Sequence, residues 1–113
     1  IVAVGTDDQA IYTAIQAITN SNGGIAVAQQ DQILAIMPLP IAGLMSAKPY
    51  ATAAQDLQAI STGYQKITGK KTVNFNPFIT LSFLTLPVIP TLKLTDQGLY
   101  DFEAGKFIDL EVD

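Results

Sequence analysis

The feature that most constrains this chain is a helical stripe. Tyr50, Ala53, Leu57, Ile60, Tyr64 and Ile67 recur at alternating intervals of three and four, the spacing of one face of an amphipathic helix. Ser46 is the expected N-cap, Pro49 is tolerated in the first turn, and Gly69 closes the helix. Gly63 lies inside this stretch and weakens it by about 1 kcal/mol relative to alanine. An element of this length must bury its apolar face against something, so the segments before it should supply a sheet.

They read that way. Residues 1–5, Ile-Val-Ala-Val-Gly, have the composition of a buried strand. Thr6 to Gln9 fits a capping box, with Asp7 and Asp8 in the first turn where the helix dipole favours them. Ile11, Ile15 and Ile18 follow at helical spacing, and Asn22-Gly23-Gly24 terminates that helix. Residues 24–28 and 33–37 are short apolar strands around a polar turn, which predicts a hairpin. After the second helix, residues 72–75 are an expected strand. Asn76-Pro77 reads as an N-cap with proline at the first helical position, so residues 78–86 are expected to be a short helix, although their Thr and Phe content also suits a strand. Residues 87–90 are expected to be irregular or edge-like, residues 92–94 extended, and Thr95-Asp96-Gln97-Gly98 a turn. Residues 107–112 alternate as a half-buried strand, with Ile108, Leu110 and Val112 on one side and Asp109 and Glu111 on the other. The expected class is α+β: a two-layer mixed sheet with two main helices, a βαββαβ-like core resembling the ferredoxin-like order, and C-terminal strand pieces. Residues 1–113 are expected to form a single domain.

Composition excludes several kinds of chemistry. The chain has no His, Cys, Arg or Trp. Without thiolate or imidazole, a zinc site is excluded, as are Ser-His-Asp and Cys-His nucleophile systems. A net charge of −4 leaves nucleic acid no electrostatic footprint. No apolar run has the length of a transmembrane helix, because prolines interrupt residues 33–45 and 78–94. Charged residues make up only 14% of the chain, about half the share of an ordinary soluble domain, so part of the surface is expected to be hidden against something else. The chain opens directly on a strand, which is the expectation for a piece of a longer polypeptide.

The residues that could carry a site are few. The Asp7-Asp8 pair could bind a hard cation, but the dipole role accounts for it and no calcium-loop spacing accompanies it. Asn22-Gly23-Gly24 precedes a strand, so it is a helix terminator and not a phosphate cradle. Lys70-Lys71 make a solvated end, and Asp96 belongs to a turn. More informative are residues 38–46, Pro-Leu-Pro-Ile-Ala-Gly-Leu-Met-Ser, and residues 77–94. Both combine irregular backbone with dense apolar side chains, which suits either core packing or a contact surface for a neighbouring domain.

Those two segments also carry a resemblance. Pro38 to Ser46, Asn76 to Leu84, Leu86 to Pro90 and Lys93 to Asp101, with the opening Val2 to Asp8, resemble the C-terminal domain of bacterial adenine deaminases of the amidohydrolase superfamily, over nearly the whole chain. Ala47-Lys48 depart from the acidic residues usual there. The resemblance implies a cytoplasmic parent enzyme that hydrolyses adenine to hypoxanthine and ammonia in a (β/α)₈ barrel, with a divalent metal, manganese or iron, held by His and Asp. It implies the barrel of the same polypeptide as partner, and a possible homo-oligomer. It assigns no catalytic, cofactor-binding or metal residue to any position here. The alternative is a stand-alone small-ligand-binding or oligomerisation domain without enzymatic activity.

Overall fold

In the computed structural model the described residues are 1–70 and 76–110. The chain divides into two compact units, formed chiefly by residues 3–73 and residues 74–113.

The first unit is built on a hairpin. Strands β1 (Gly24–Gln29) and β2 (Gln32–Pro38) pair antiparallel, with Val27 opposite Ala35 and a register shift after Val27. A lone two-stranded ribbon is marginal in water, and here two helices cover it. Helix α1 (Asp8–Asn20) and helix α2 (Tyr50–Thr68) each pack against both strands. The buried apolar side chains are Val27, Ala35, Leu39 and Ile60, and Ile60 is 0% exposed. Gly63 explains how α2 comes so close. A Cβ at this position would stand 3.3 Å from the Ala35 Cβ and 3.4 Å from the Val27 Cβ, so the missing side chain lets the helix backbone settle on the hairpin. The glycine that weakens the helix locally is thus a packing requirement.

Several local expectations shift. The cap of α1 is Asp7, not Thr6: the Asp7 backbone is extended, and its carboxylate accepts from the Ala10 N–H at 3.1 Å. Two adjacent cap-forming residues give sequence reasoning no means of choosing between them. Replacing Asp7 by alanine is expected to cost about 0.5–2 kcal/mol, read from urea unfolding of the 113-residue chain by far-UV circular dichroism. Helix α2 starts at Tyr50 with Pro49 at the cap position, and Ser46 instead closes a local turn by accepting from the Lys48 N–H at 3.1 Å. Gly69 ends α2 in the left-handed region as expected.

The α2 stripe is only partly buried. Ile60 is enclosed, whereas Tyr50, Leu57 and Ile67 are exposed, with Tyr50 at 89%. Within α2 only Ile60 and Gly63 are buried, and Thr52, Ala53, Asp56 and Tyr64 are among the half-buried positions beside them. The regular spacing marks a helix correctly but places its inner face about 50° away, less than a sixth of a turn, because the side-chain-free Gly63 lies on the contact with the hairpin.

The second unit holds α3 (Pro77–Phe83) and a meander of β3 (Leu92–Thr95), β4 (Gly98–Asp101) and β5 (Lys106–Ile108), all antiparallel. Asn76 caps α3 as expected, accepting from the Phe78 and Ile79 N–H groups at 3.0 and 3.2 Å. Thr95 makes the β3–β4 turn: its hydroxyl donates to the Gly98 carbonyl at 2.9 Å and accepts from the Gln97 N–H at 3.1 Å. Asp101 makes the next turn by accepting from the Glu103 and Ala104 N–H groups at 2.9 and 3.0 Å. Tyr100 and Phe107 stand opposite each other and pack edge to face, with ring centroids 5.3 Å apart.

The α+β class holds. The sheet arrangement differs from the expected mixed sheet: among the described residues there are two separate antiparallel sheets, of two and three strands. Residues 1–5 pair with no described strand, and Ile1 is 76% exposed. The strand expected at 72–75 lies outside the described residues. The alternation read at 107–112 forms a ladder only through Ile108; residues 109–110 are outside it and residues 111–113 are not described.

Candidate functional site

The polar residues singled out in the sequence are not brought together. Asp7 and Asp8 lie at the start of α1, Asp7 engaged as the cap. Lys70 is exposed at the end of α2, and Lys71 lies outside the described residues. Asp96 sits in the β3–β4 turn of the other unit. Among the described residues no three His, Cys, Asp or Glu side chains cluster closely enough to hold a metal ion.

Asn22-Gly23-Gly24 does two jobs. It ends α1, with Asn22 at a positive φ of 57° and the Gly23 N–H donating to the Ile18 carbonyl at 2.9 Å. It also receives the apolar loop at 38–46: the Leu39 N–H donates to the Gly23 carbonyl at 3.0 Å. Gly23 has φ 114°, and a Cβ there would fall 2.6 Å from the Gly43 Cα. Two backbones meet at this point, leaving no room for a side chain.

That contact sorts the loop into inner and outer parts. Leu39 is buried in the core. Beyond it Ile41 and Met45 pair as an isolated bridge, and Ile41, Leu44 and Met45 face outward, Leu44 at 78% exposure. The second apolar segment behaves alike: Ile79, Phe83, Leu84, Leu86, Val88 and Leu94 are all exposed. Both apolar segments singled out in the sequence therefore present exposed side chains, with Leu39 the part that serves the core.

Sequence reasoning missed the aromatic contribution of the meander. Phe102 and Phe107 are also exposed, and with Pro87, Val88 and Tyr100 they line an open depression of about 450 Å³ rimmed by Thr95, Asp96 and Gln97. The signal was available in Thr95…Gly98 and Asp101…Gly105, two turn sequences that frame a strand between them.

Fold and surface together define an α+β module that turns large apolar side chains outward on both of its units. Among the described residues no helix is long and apolar enough to cross a membrane. The family model described as the adenine deaminase C-terminal domain matches residues 1–106, and the chain belongs to that family. It is 53% identical over 112 residues to an adenine deaminase of Lactiplantibacillus plantarum, covering 99% of this chain and 20% of that protein. It is 52% identical over 114 residues to an adenine deaminase of Listeria monocytogenes, again covering 99% of this chain but 19% of the relative. The chain thus spans about a fifth of the length of the curated relatives it matches. The family resemblance expected from the residue motifs is borne out.

Proposed function

We propose that this chain is the C-terminal domain of an adenine deaminase, a parent enzyme that hydrolyses adenine to hypoxanthine and ammonia in the cytoplasm. Its two units act as one accessory domain that contributes no catalytic residue and packs on the metal-dependent barrel of the same polypeptide. The observation that carries this reading is the match itself: nearly the whole chain aligns, yet with only a fifth of each relative. The exposed apolar faces at 38–46 and 77–94 supply the surface for that packing.

A divalent metal, manganese or iron, belongs to the barrel in this reading. It does not fit this chain, which has no His or Cys and, among the described residues, no cluster of acidic side chains. No step of the hydrolysis is therefore assigned to residues here.

The test is an activity measurement in two arms. The purified 113-residue chain, supplied with Mn²⁺ or Fe²⁺ and adenine, is expected to release no ammonia, whereas the longer polypeptide carrying it turns adenine over. Clear turnover by the chain alone ends the proposed division of labour. A longer polypeptide that is folded and metal-loaded but inactive on adenine ends the substrate assignment. Light scattering on the longer polypeptide decides whether it works as a homo-oligomer.

A further inference from the structure

The two units differ in what holds them together. The first has an enclosed core of Val27, Ala35, Leu39 and Ile60. In the second, no described residue is buried. That unit comprises roughly residues 74–113, a size at which a polypeptide ordinarily needs a disulfide, a metal or an outside partner to fold. The chain has no cysteine, and its described residues form no metal cluster. What remains in the second unit is a helix of 7 residues and a meander of strands of 4, 4 and 3 residues. Such elements gain little from backbone pairing alone. Meanwhile Ile79, Phe83, Val88, Leu94 and Phe107 stand exposed, large apolar side chains that no element of the unit covers.

We infer that the second unit is a conditional docking element: it obtains its hydrophobic core from the polypeptide that precedes this chain in the longer protein, and it becomes stably folded only when docked there. The occupant is argued from chain length. Relatives that align with nearly all of this chain carry about four times as much polypeptide besides, enough to supply a complementary apolar face. The first unit, with its own core, serves as the permanently folded anchor. The inference rests on the proposed division into catalytic part and C-terminal domain, and extends it by coupling the second unit's share of the docking contact to that unit's folding.

Hydrogen exchange tests it on the chain and on the longer polypeptide. In the monomeric chain, amides of β1, β2 and α2 are expected to be protected, while those of β3, β4 and β5 exchange within roughly tenfold of an unstructured peptide. In the longer polypeptide the meander amides are expected to slow by roughly 100-fold or more. Placing Leu94→Glu together with Phe107→Glu in the longer polypeptide should remove that protection from the meander and leave the β1–β2 hairpin protected. Meander amides as protected in the monomeric chain as those of β1 and β2 overturn the inference. So does protection that appears in the chain only with a doubled mass by light scattering, which makes a second copy the occupant. Docking-dependent protection in a longer polypeptide without deaminase activity supports the inference while removing the proposed substrate, so the two failures are separable.

Discussion

Ile60→Ala is expected to lower the stability of the first unit by about 2–5 kcal/mol, the range for truncating a buried aliphatic side chain where neighbours cannot collapse into the void. Ile60 is 0% exposed and sits on the α2 face that meets the hairpin. The cost has two parts: the transfer free energy of the deleted methyl and methylene groups, and the cavity left between a helix and a ribbon already in close contact. Gly63, one turn along α2, keeps the helix near Val27 and Ala35, so the void cannot be closed by moving the helix further in. The measurement is the urea midpoint of the 113-residue chain, with the slope of the transition unchanged. Ile67→Ala is the control. It occupies an equivalent position in the sequence stripe but is 44% exposed, so it is expected to cost less than about 1 kcal/mol. Equal effects at the two positions would show that the inner face of α2 has been assigned wrongly.

Gly23→Ala is expected to have the next largest effect. The position has φ 114°, where an L side chain is strained by about 1–3 kcal/mol. Its Cβ would also fall 2.6 Å from the Gly43 Cα and 3.0 Å from the Leu39 carbonyl oxygen. These are backbone atoms, so no side-chain rotation can relieve the overlap. The loop at 38–46 must move away, taking with it the Leu39 N–H bond to the Gly23 carbonyl and the buried Leu39 side chain. Gly43→Ala separates the two contributions. It also has positive φ, 73°, but nothing lies within 4 Å of its Cβ, so only the backbone cost of about 1–2 kcal/mol is expected. A thermal melt of both variants checks the order. If Gly43→Ala proves as damaging as Gly23→Ala, close approach of the two backbones is not what the glycine at 23 provides.

These two positions show where sequence reasoning stops. Asn22-Gly23-Gly24 is legible as a helix terminator from local chemistry, because left-handed backbone favours Asn and Gly. Its second role, receiving the apolar loop, depends on a segment some fifteen residues further along the chain and has no local signature. Gly63 is a similar case: read alone it is a defect in a helix, and only the facing Val27 and Ala35 explain it. The Asn76-Pro77 helix start was readable because cap and first-turn proline act within a few residues of each other. Residues 1–5 have the composition of a strand yet lie in none, because an apolar, β-branched run records a preference and not a partner. β4 escaped because its four residues carry no alternation of their own, and only the turns made by Thr95 and Asp101 define it.

By itself, the sequence determined the helices, the hairpin, the α+β class, the absence of imidazole and thiolate chemistry, and membership of a family through two apolar motifs. All of these depend on residue type and short-range spacing. Only the tertiary structure decided which apolar residues are core and which are surface. Leu39 and Ile60 go inward while Leu44, Tyr50 and Ile67 go outward, although nothing in their spacing separates them. The physical reason is that burial is non-local: a side chain leaves water only where another element comes to cover it. In this chain the hairpin and its two helices cover one set and leave a larger set exposed.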